Sequence, residues 1–223
     1  MQMKNVVITG TSSGIGFDLV KIYSKKKYNV LSLSRSQISI KGINHVIFDI
    51  TDQKSIDNVK NIIKKEFKVV DILINNAGKL INKPFLDMSM EDFDSVFRVN
   101  LFGVANLIKN LYPMFNKSSH VVNISSIGGI IGSSKFNGLT AYSSSKGALN
   151  ILTEVLAEEF KESGPKFNSL CLGSVQTKML EEAFPGYKGQ VKPKDMAKFI
   201  FDFANKGSSF FNGKVIPVSL SNP

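Results

Sequence analysis

The chain of 223 residues has one cysteine, two histidines and only two arginines, although Lys and Arg together number 28. Each scarcity closes off a class. Cys171 stands alone inside an apolar stretch, so neither a disulfide framework nor a cysteine metal site is available. His45 and His120 sit at the starts of two apolar runs, in no cluster with Asp or Glu, and read as structural rather than metal-binding. No apolar run approaches the roughly 18–20 residues of a membrane span. The first strand signal starts at Lys4, leaving no room for a signal peptide, and a cytoplasmic protein is expected. The net charge of +10 is lysine spread through helices and loops. Nucleic-acid surfaces concentrate arginine with aromatics, and no such stripe exists here. An anionic small ligand is the gentler use of that field.

What is present alternates. Short apolar runs at Lys4–Ile8, Tyr28–Ser34, His45–Asp49, Val70–Asn75, His120–Ser125, Lys166–Leu172 and Lys214–Val218 read as strands. Helical spacing recurs from the second glycine of residues 9–16, around Ile56–Ile63, over Phe93–Tyr112, over Tyr142–Lys161 and from Pro193. Strands and helices in alternation, with near-continuous apolar strands, predict an α/β fold: a doubly wound, parallel, seven-stranded sheet with helices on both faces, Rossmann-like. No repeat or linker interrupts it, so one domain over 1–223 is expected. Ligands then lie beyond the carboxyl ends of the strands.

Residues 9–16, Thr-Gly-Thr-Ser-Ser-Gly-Ile-Gly, join the first strand to the first helix. Such a turn gathers backbone N–H groups and the positive helix end at one point, which suits a pyrophosphate. Gly10 takes the tight turn, Gly14 admits the ligand and Gly16 lets helix and strand pack closely, with Ser12, Ser13 and Ile15 beside them. A plainer alternative is that Ser12 or Ser13 simply caps the helix.

About 20 positions past the glycines, the end of the second strand meets the adenosine ribose in such folds. An acid there selects NAD; here the run is Ser34-Arg35-Ser36. Arg35 offers planar donors to a 2′-phosphate, with serine hydroxyls beside it, so NADP(H) is expected over NAD(H). Asp49, next to Ile50 at the third strand's end, is placed to accept from the adenine amino group or to cap the following turn.

Tyr142 and Lys146 are spaced i, i+4 at the start of the long helix and share one face. Acid–base work near neutrality asks that the phenol's pKa fall by about three units, or about 4 kcal/mol. A cation at ~4 Å with effective dielectric ~20 supplies that order.

Taken together, Thr9-Gly10-x3-Gly14-Ile15-Gly16, Asn75-Asn76-Ala77-Gly78, Asn100, Ser125-Ser126 and Tyr142-x3-Lys146 closely resemble the short-chain dehydrogenase/reductase family, in order and over nearly the whole chain. The resemblance implies that Tyr142 exchanges a proton with the substrate oxygen, Lys146 lowers its pKa and binds the nicotinamide ribose, and Ser126 donates to the substrate oxygen. Asn100, in Val-Asn-Leu-Phe-Gly, would both kink its helix and hold a water linking Lys146 to solvent. Asn76, Ala77 and Gly78 would lie beside adenosine and stiffen the sheet. Gly173, Val175 and Thr177 match the segment that orients the nicotinamide amide.

The implied enzyme is an NADP(H)-dependent oxidoreductase reducing a ketone or aldehyde. An NAD-linked alcohol dehydrogenase and a non-catalytic dinucleotide sensor are the alternatives. The partners implied are a small carbonyl or alcohol substrate and a second copy of the chain, as homodimer or homotetramer through the helices near 93–112 and 142–161. Against the family pattern, the Ser126–Tyr142 loop is about three residues longer and Leu172 replaces a proline. Ser12 and Ser13 stand where many NADP-linked relatives have a basic residue. The lid near 178–192 is short, which predicts an open pocket for small or loosely selected substrates, and the tail Ser219-Leu-Ser-Asn-Pro is altered.

Overall fold

Val6 and Ile8 point to one side of their strand and Val7 to the other, and all three are fully buried. That pattern requires cover on both faces, and the computed structural model, which describes residues 3–220, provides it. Seven parallel strands, β1 (Lys4–Thr9), β2 (Tyr28–Ser34), β3 (Asn44–Ile47), β4 (Ile72–Asn75), β5 (His120–Ser126), β6 (Lys166–Leu172) and β7 (Lys214–Val218), lie in the order β3-β2-β1-β4-β5-β6-β7. The order reverses direction between β1 and β4, the crevice where such sheets bind ligands.

On one face, α1 (Gly14–Ser24) and α7 (Pro193–Lys206) bury Leu19, Val20, Tyr23 and Ile200 against Val6, Ile8, Ile74 and Val122. On the other, α2 (Gln53–Ile62), α4 (Gly103–Leu111) and α5 (Thr140–Glu159) cover the sheet, with Ile56, Val59, Leu107 and Leu149 against Val7, Leu33, Leu73 and Val121, while α3 (Met90–Phe97) packs on α5 through Val96 and Ala141. The short α6 (Lys178–Ala183) stands beyond the end of β6.

Most elements fall where apolar spacing places them. The helix expected over Phe93–Tyr112 is instead α3 and α4 joined by a π-turn, Arg98–Phe102. Glycine is needed where α4 begins, because a Cβ on Gly103 would lie 2.7 Å from the Ile50 carbonyl oxygen. The third strand ends at Ile47 rather than Asp49, because Asp49 turns to accept from the Thr51 amide and hydroxyl, at 2.9 and 2.7 Å. Of the altered tail, Ser221, Asn222 and Pro223 lie outside the described residues.

Both histidines take places in the frame. His120 donates through Nδ1 to the Ala204 carbonyl at 2.9 Å and meets the Asn168 amide through Nε2 at 3.0 Å, tying β5 to α7 and β6. Its burial pushes the imidazole down to about 4.

Candidate active site

β1 ends at Thr9, and the chain turns through Gly10–Ser13 into α1. Gly10 and Gly14 adopt φ of 71° and 56°, a region that favours glycine. A Cβ on Gly10 would lie 2.7 Å from the Ala77 Cα, and one on Gly16 would strike the Gly10 carbonyl oxygen. Thr9 Oγ1 accepts from the amides of Asn76 and Ala77 at 3.1 and 3.0 Å, while Asn76 Nδ2 donates to the carbonyls of Thr9 and Gly10. The ends of β1 and β4 are thereby locked together.

Ser13 occupies the N-cap position of α1 with extended backbone, yet its side chain makes no capping bond, and the first turn of the helix carries no acid. The capping alternative is therefore not realised for Ser13. The positive helix end opens onto a cavity of about 930 Å3. A Cβ on Gly14 would reach towards Thr177 across this cavity, at 3.3 Å from its methyl carbon, and the uncapped, acid-free helix end beside it fits an anionic dinucleotide.

Gly10, Ser12, Ser13, Gly14 and Ile15 line this cavity at the end of β1. Ser34, Arg35, Asp49 and Ile50 line it on the side of β2 and β3, and Asn76, Ala77 and Gly78 at the end of β4. On the side of β5 and β6 stand Ser126, Tyr142, Lys146, Gly173, Val175 and Thr177. Three expected residues are not on the wall. Gly16 lies behind it, against Gly10. Ser36 is exposed beyond it and offers its carbonyl to the Ser34 hydroxyl at 2.8 Å. Asn100 is fully buried in the π-turn, its Oδ1 accepting from the Lys79 amide at 2.8 Å. Both of its amide protons go to protein partners, the Lys79 carbonyl and Ser145 Oγ.

Sequence reasoning missed Arg98, Lys79 and Asn82, which also line the cavity. Arg98 is the chain's second arginine, and this scarcity was the only available signal. It pairs with Asp94, whereas among the described residues Arg35 forms no ion pair.

The reactive side chains meet at the end of β5. Lys146 Nζ donates to the Ile124 carbonyl at 2.8 Å and lies 5.8 Å from the centre of the Tyr142 ring. The Ser126 hydroxyl faces the Tyr142 phenol, hydrogen-bonds to it and holds its pKa down in part. Burial is the larger effect and pushes the phenol up to about 12, while burial pulls the Lys146 ammonium down to about 8. The lowering expected for Tyr142 is thus reversed: burial outweighs the effect of Ser126, and Lys146 is engaged with the Ile124 carbonyl.

The nicotinamide-side segment is tied at both ends. Val175 bridges to Val191, and Thr177 caps α6 by accepting from the Leu180 amide at 3.3 Å. Leu172 does not loosen it: the residue pairs with Ser126 and Val218, and the Gly173 amide donates to the Val218 carbonyl at 2.9 Å.

A glycine cradle at the β1–α1 turn and a Ser–Tyr–Lys set across one cavity define a dinucleotide-binding oxidoreductase fold. The family profile described as short chain dehydrogenase matches residues 4–188. An uncharacterized oxidoreductase of Staphylococcus aureus strain MW2 is 28% identical over 208 residues, covering 88% of this chain and 89% of its own. ElxO, solved with NADP bound, has 28% identity and a TM-score of 0.84, covering 98% of both chains. A 3-ketoacyl-(acyl-carrier-protein) reductase of Brucella melitensis, solved with NADH, has 25% identity and a TM-score of 0.84, covering 97% of this chain and 96% of its own. The chain belongs to the short-chain dehydrogenase/reductase family, whose members are oxidoreductases that use a nicotinamide dinucleotide. Among the described residues no helix is long and apolar enough to cross a membrane.

Proposed function

We propose that this enzyme is an NADP(H)-dependent reductase that converts a ketone or aldehyde to an alcohol. The observation carrying the proposal is the convergence of Ser126, Tyr142 and Lys146 on the cavity whose far rim holds Arg35. When bound, the cofactor supplies a hydride to the carbonyl carbon. The glycine turn and the open end of α1 would hold its pyrophosphate, and Arg35 its 2′-phosphate.

Negative charge then develops on the carbonyl oxygen, and Ser126 donates to it. Tyr142 gives its proton to that oxygen. A phenol is protonated at neutral pH, and an alkoxide is by far the stronger base, so Tyr142 is placed to serve as the donor in reduction. Lys146, still mostly protonated near neutrality, stabilises the phenolate left behind and binds the nicotinamide ribose. Asn100 would reach a relay water only through its backbone, because both side-chain amide protons are committed. Gly173, Val175 and Thr177 would orient the nicotinamide amide, with the Thr177 hydroxyl shared with its capping role.

Ile151 and Val155 on α5 and Phe102 beside α4 are exposed apolar side chains, which supports assembly of two or more copies through these helices.

The test is oxidation of NADPH and NADH against a panel of ketones and aldehydes, for the native enzyme and Arg35→Asp. The native enzyme should use NADPH in preference. The variant should lose about tenfold to a hundredfold in NADPH affinity relative to NADH, the worth of one charge-assisted pair. An unchanged ratio contradicts the cofactor assignment, and no turnover with any carbonyl contradicts the reaction.

A further inference from the structure

A second concavity, of about 830 Å3, adjoins the reaction cavity, and the two share Asn82, Gly128, Phe136 and Leu139. Its outer walls are Phe85 and Ile131, apolar side chains left 62% and 95% exposed. Large apolar groups flanking a groove mark a surface that something covers. The inner wall is close-packed backbone: a Cβ on Gly129 would lie 2.7 Å from the Gly147 amide nitrogen of α5. Among the described residues Lys135 is the only ionisable side chain lining the groove, its Nζ is spent on the Ile130 carbonyl and the Ser133 hydroxyl, and no carboxylate faces in.

The junction between the two spaces is built, not incidental. Asn82 Nδ2 donates to the Ala183 carbonyl at the end of α6, at 2.6 Å. The Lys83 amide donates to the Gly138 carbonyl at 3.0 Å, and any side chain at Gly138, where φ is +83°, would strike Asn82 Oδ1. Three segments therefore meet at Asn82: the chain after β4, the β5–α5 loop and the end of α6. The Ser126–Tyr142 loop supplies Ile131 and Phe136 as walls.

We propose that the groove is the tail subsite of the substrate, and that the substrate is a carbonyl compound bearing an uncharged, unbranched apolar chain. The carbonyl lies at Ser126 and Tyr142, and the chain runs past Asn82 and Phe136 between Phe85 and Ile131. The occupant follows from continuity: a group entering the groove from the shared wall is attached to the reacting carbon. The inference rests on the reductase reading, and its test separates the two.

Straight-chain methyl ketones, lengthened one methylene at a time from butanone to decanone, are titrated against the NADP-loaded enzyme and assayed for reduction with NADPH. Both affinity and kcat/KM should rise with length, by up to about fourfold for each methylene removed from water. Ile131→Asp and Phe85→Asp, both at exposed positions, should flatten that rise, lowering decanone binding about tenfold more than butanone binding. Rescue by Ile131→Leu separates loss of apolar contact from loss of fold.

Length-dependent binding abolished by Ile131→Asp, with no turnover, supports the groove and overturns the reductase reading. Turnover without length dependence overturns the groove alone. An unchanged length dependence in both variants, with a change only in oligomeric state, makes the groove a contact between copies and also overturns the proposal.

Discussion

Lys146 is the residue on which the site's electrostatics turn. It is buried, points at the Ile124 carbonyl, and its ammonium is held down to about 8 against an ordinary 10.5. Between those values this lysine is a neutral amine where an exposed lysine keeps its charge. NADPH brings phosphates and ribose hydroxyls that favour the cation, so binding raises this pKa and takes up a proton. The affinity for NADPH should therefore fall as pH rises above about 8, by at most about tenfold per pH unit. Proton uptake should appear in calorimetry run in buffers of different ionisation enthalpy. Lys146→Met should abolish the slope, and an affinity flat from pH 7 to 9.5 would show that Lys146 is not the titrating group. The i, i+4 spacing with Tyr142 was readable in the sequence. The direction of the phenol's shift was not, because spacing is silent about burial and about the Ile124 carbonyl that engages the cation. Arg35 was legible from its scarcity and position; Asn82 was not, since its role lies in contacts with segments about 55 and 100 residues away along the chain (Gly138 and Ala183).

At the level of elements, period-two and helical spacing placed β2, β6, β7 and the start of α7 at the residues where they occur. Those signals are local and are satisfied by burial on one or both faces. The break at Arg98–Phe102 was legible as a kink at Asn100 but not as a π-turn, because the contact it accommodates, Gly103 on Ile50, lies across the fold. Gly103 packs against the Ile50 and Arg98 carbonyl oxygens, where a Cβ would lie at 2.7 and 2.9 Å. Both obstacles are backbone, so neither can swing away. Gly103→Ala should cost about 1–3 kcal/mol in urea unfolding, despite alanine's better helix propensity. It should also weaken cofactor binding, because Ile50, against which Gly103 packs, lines the cavity. A stability equal to or above the native protein's would show that α4 has room to shift. The lid illustrates the same limit: its shortness was evident, but its docking to Asn82 was not.

For the whole molecule, the sheet order places two functions on opposite sides of one crevice. The ends of β2 and β3 carry Arg35 and Asp49, and the ends of β5 and β6 carry Ser126 and the segment from Gly173 to Thr177. Crossing from β1 to β4 sets the glycine cradle between them. The fold was legible because alternation fixes a parallel sheet, and the family's motifs fix strand order. The second concavity was not, because it arises from loops whose sequences carry no period. The account stands most directly on Tyr142 as proton donor, and single-turnover reduction of a ketone by NADPH-loaded enzyme measures that donation. Tyr142→Phe, which keeps the ring and deletes the hydroxyl, should slow the turnover by about a hundredfold to ten-thousandfold while leaving the dissociation constant for NADPH within about threefold. Turnover at the native rate in that variant would contradict the account.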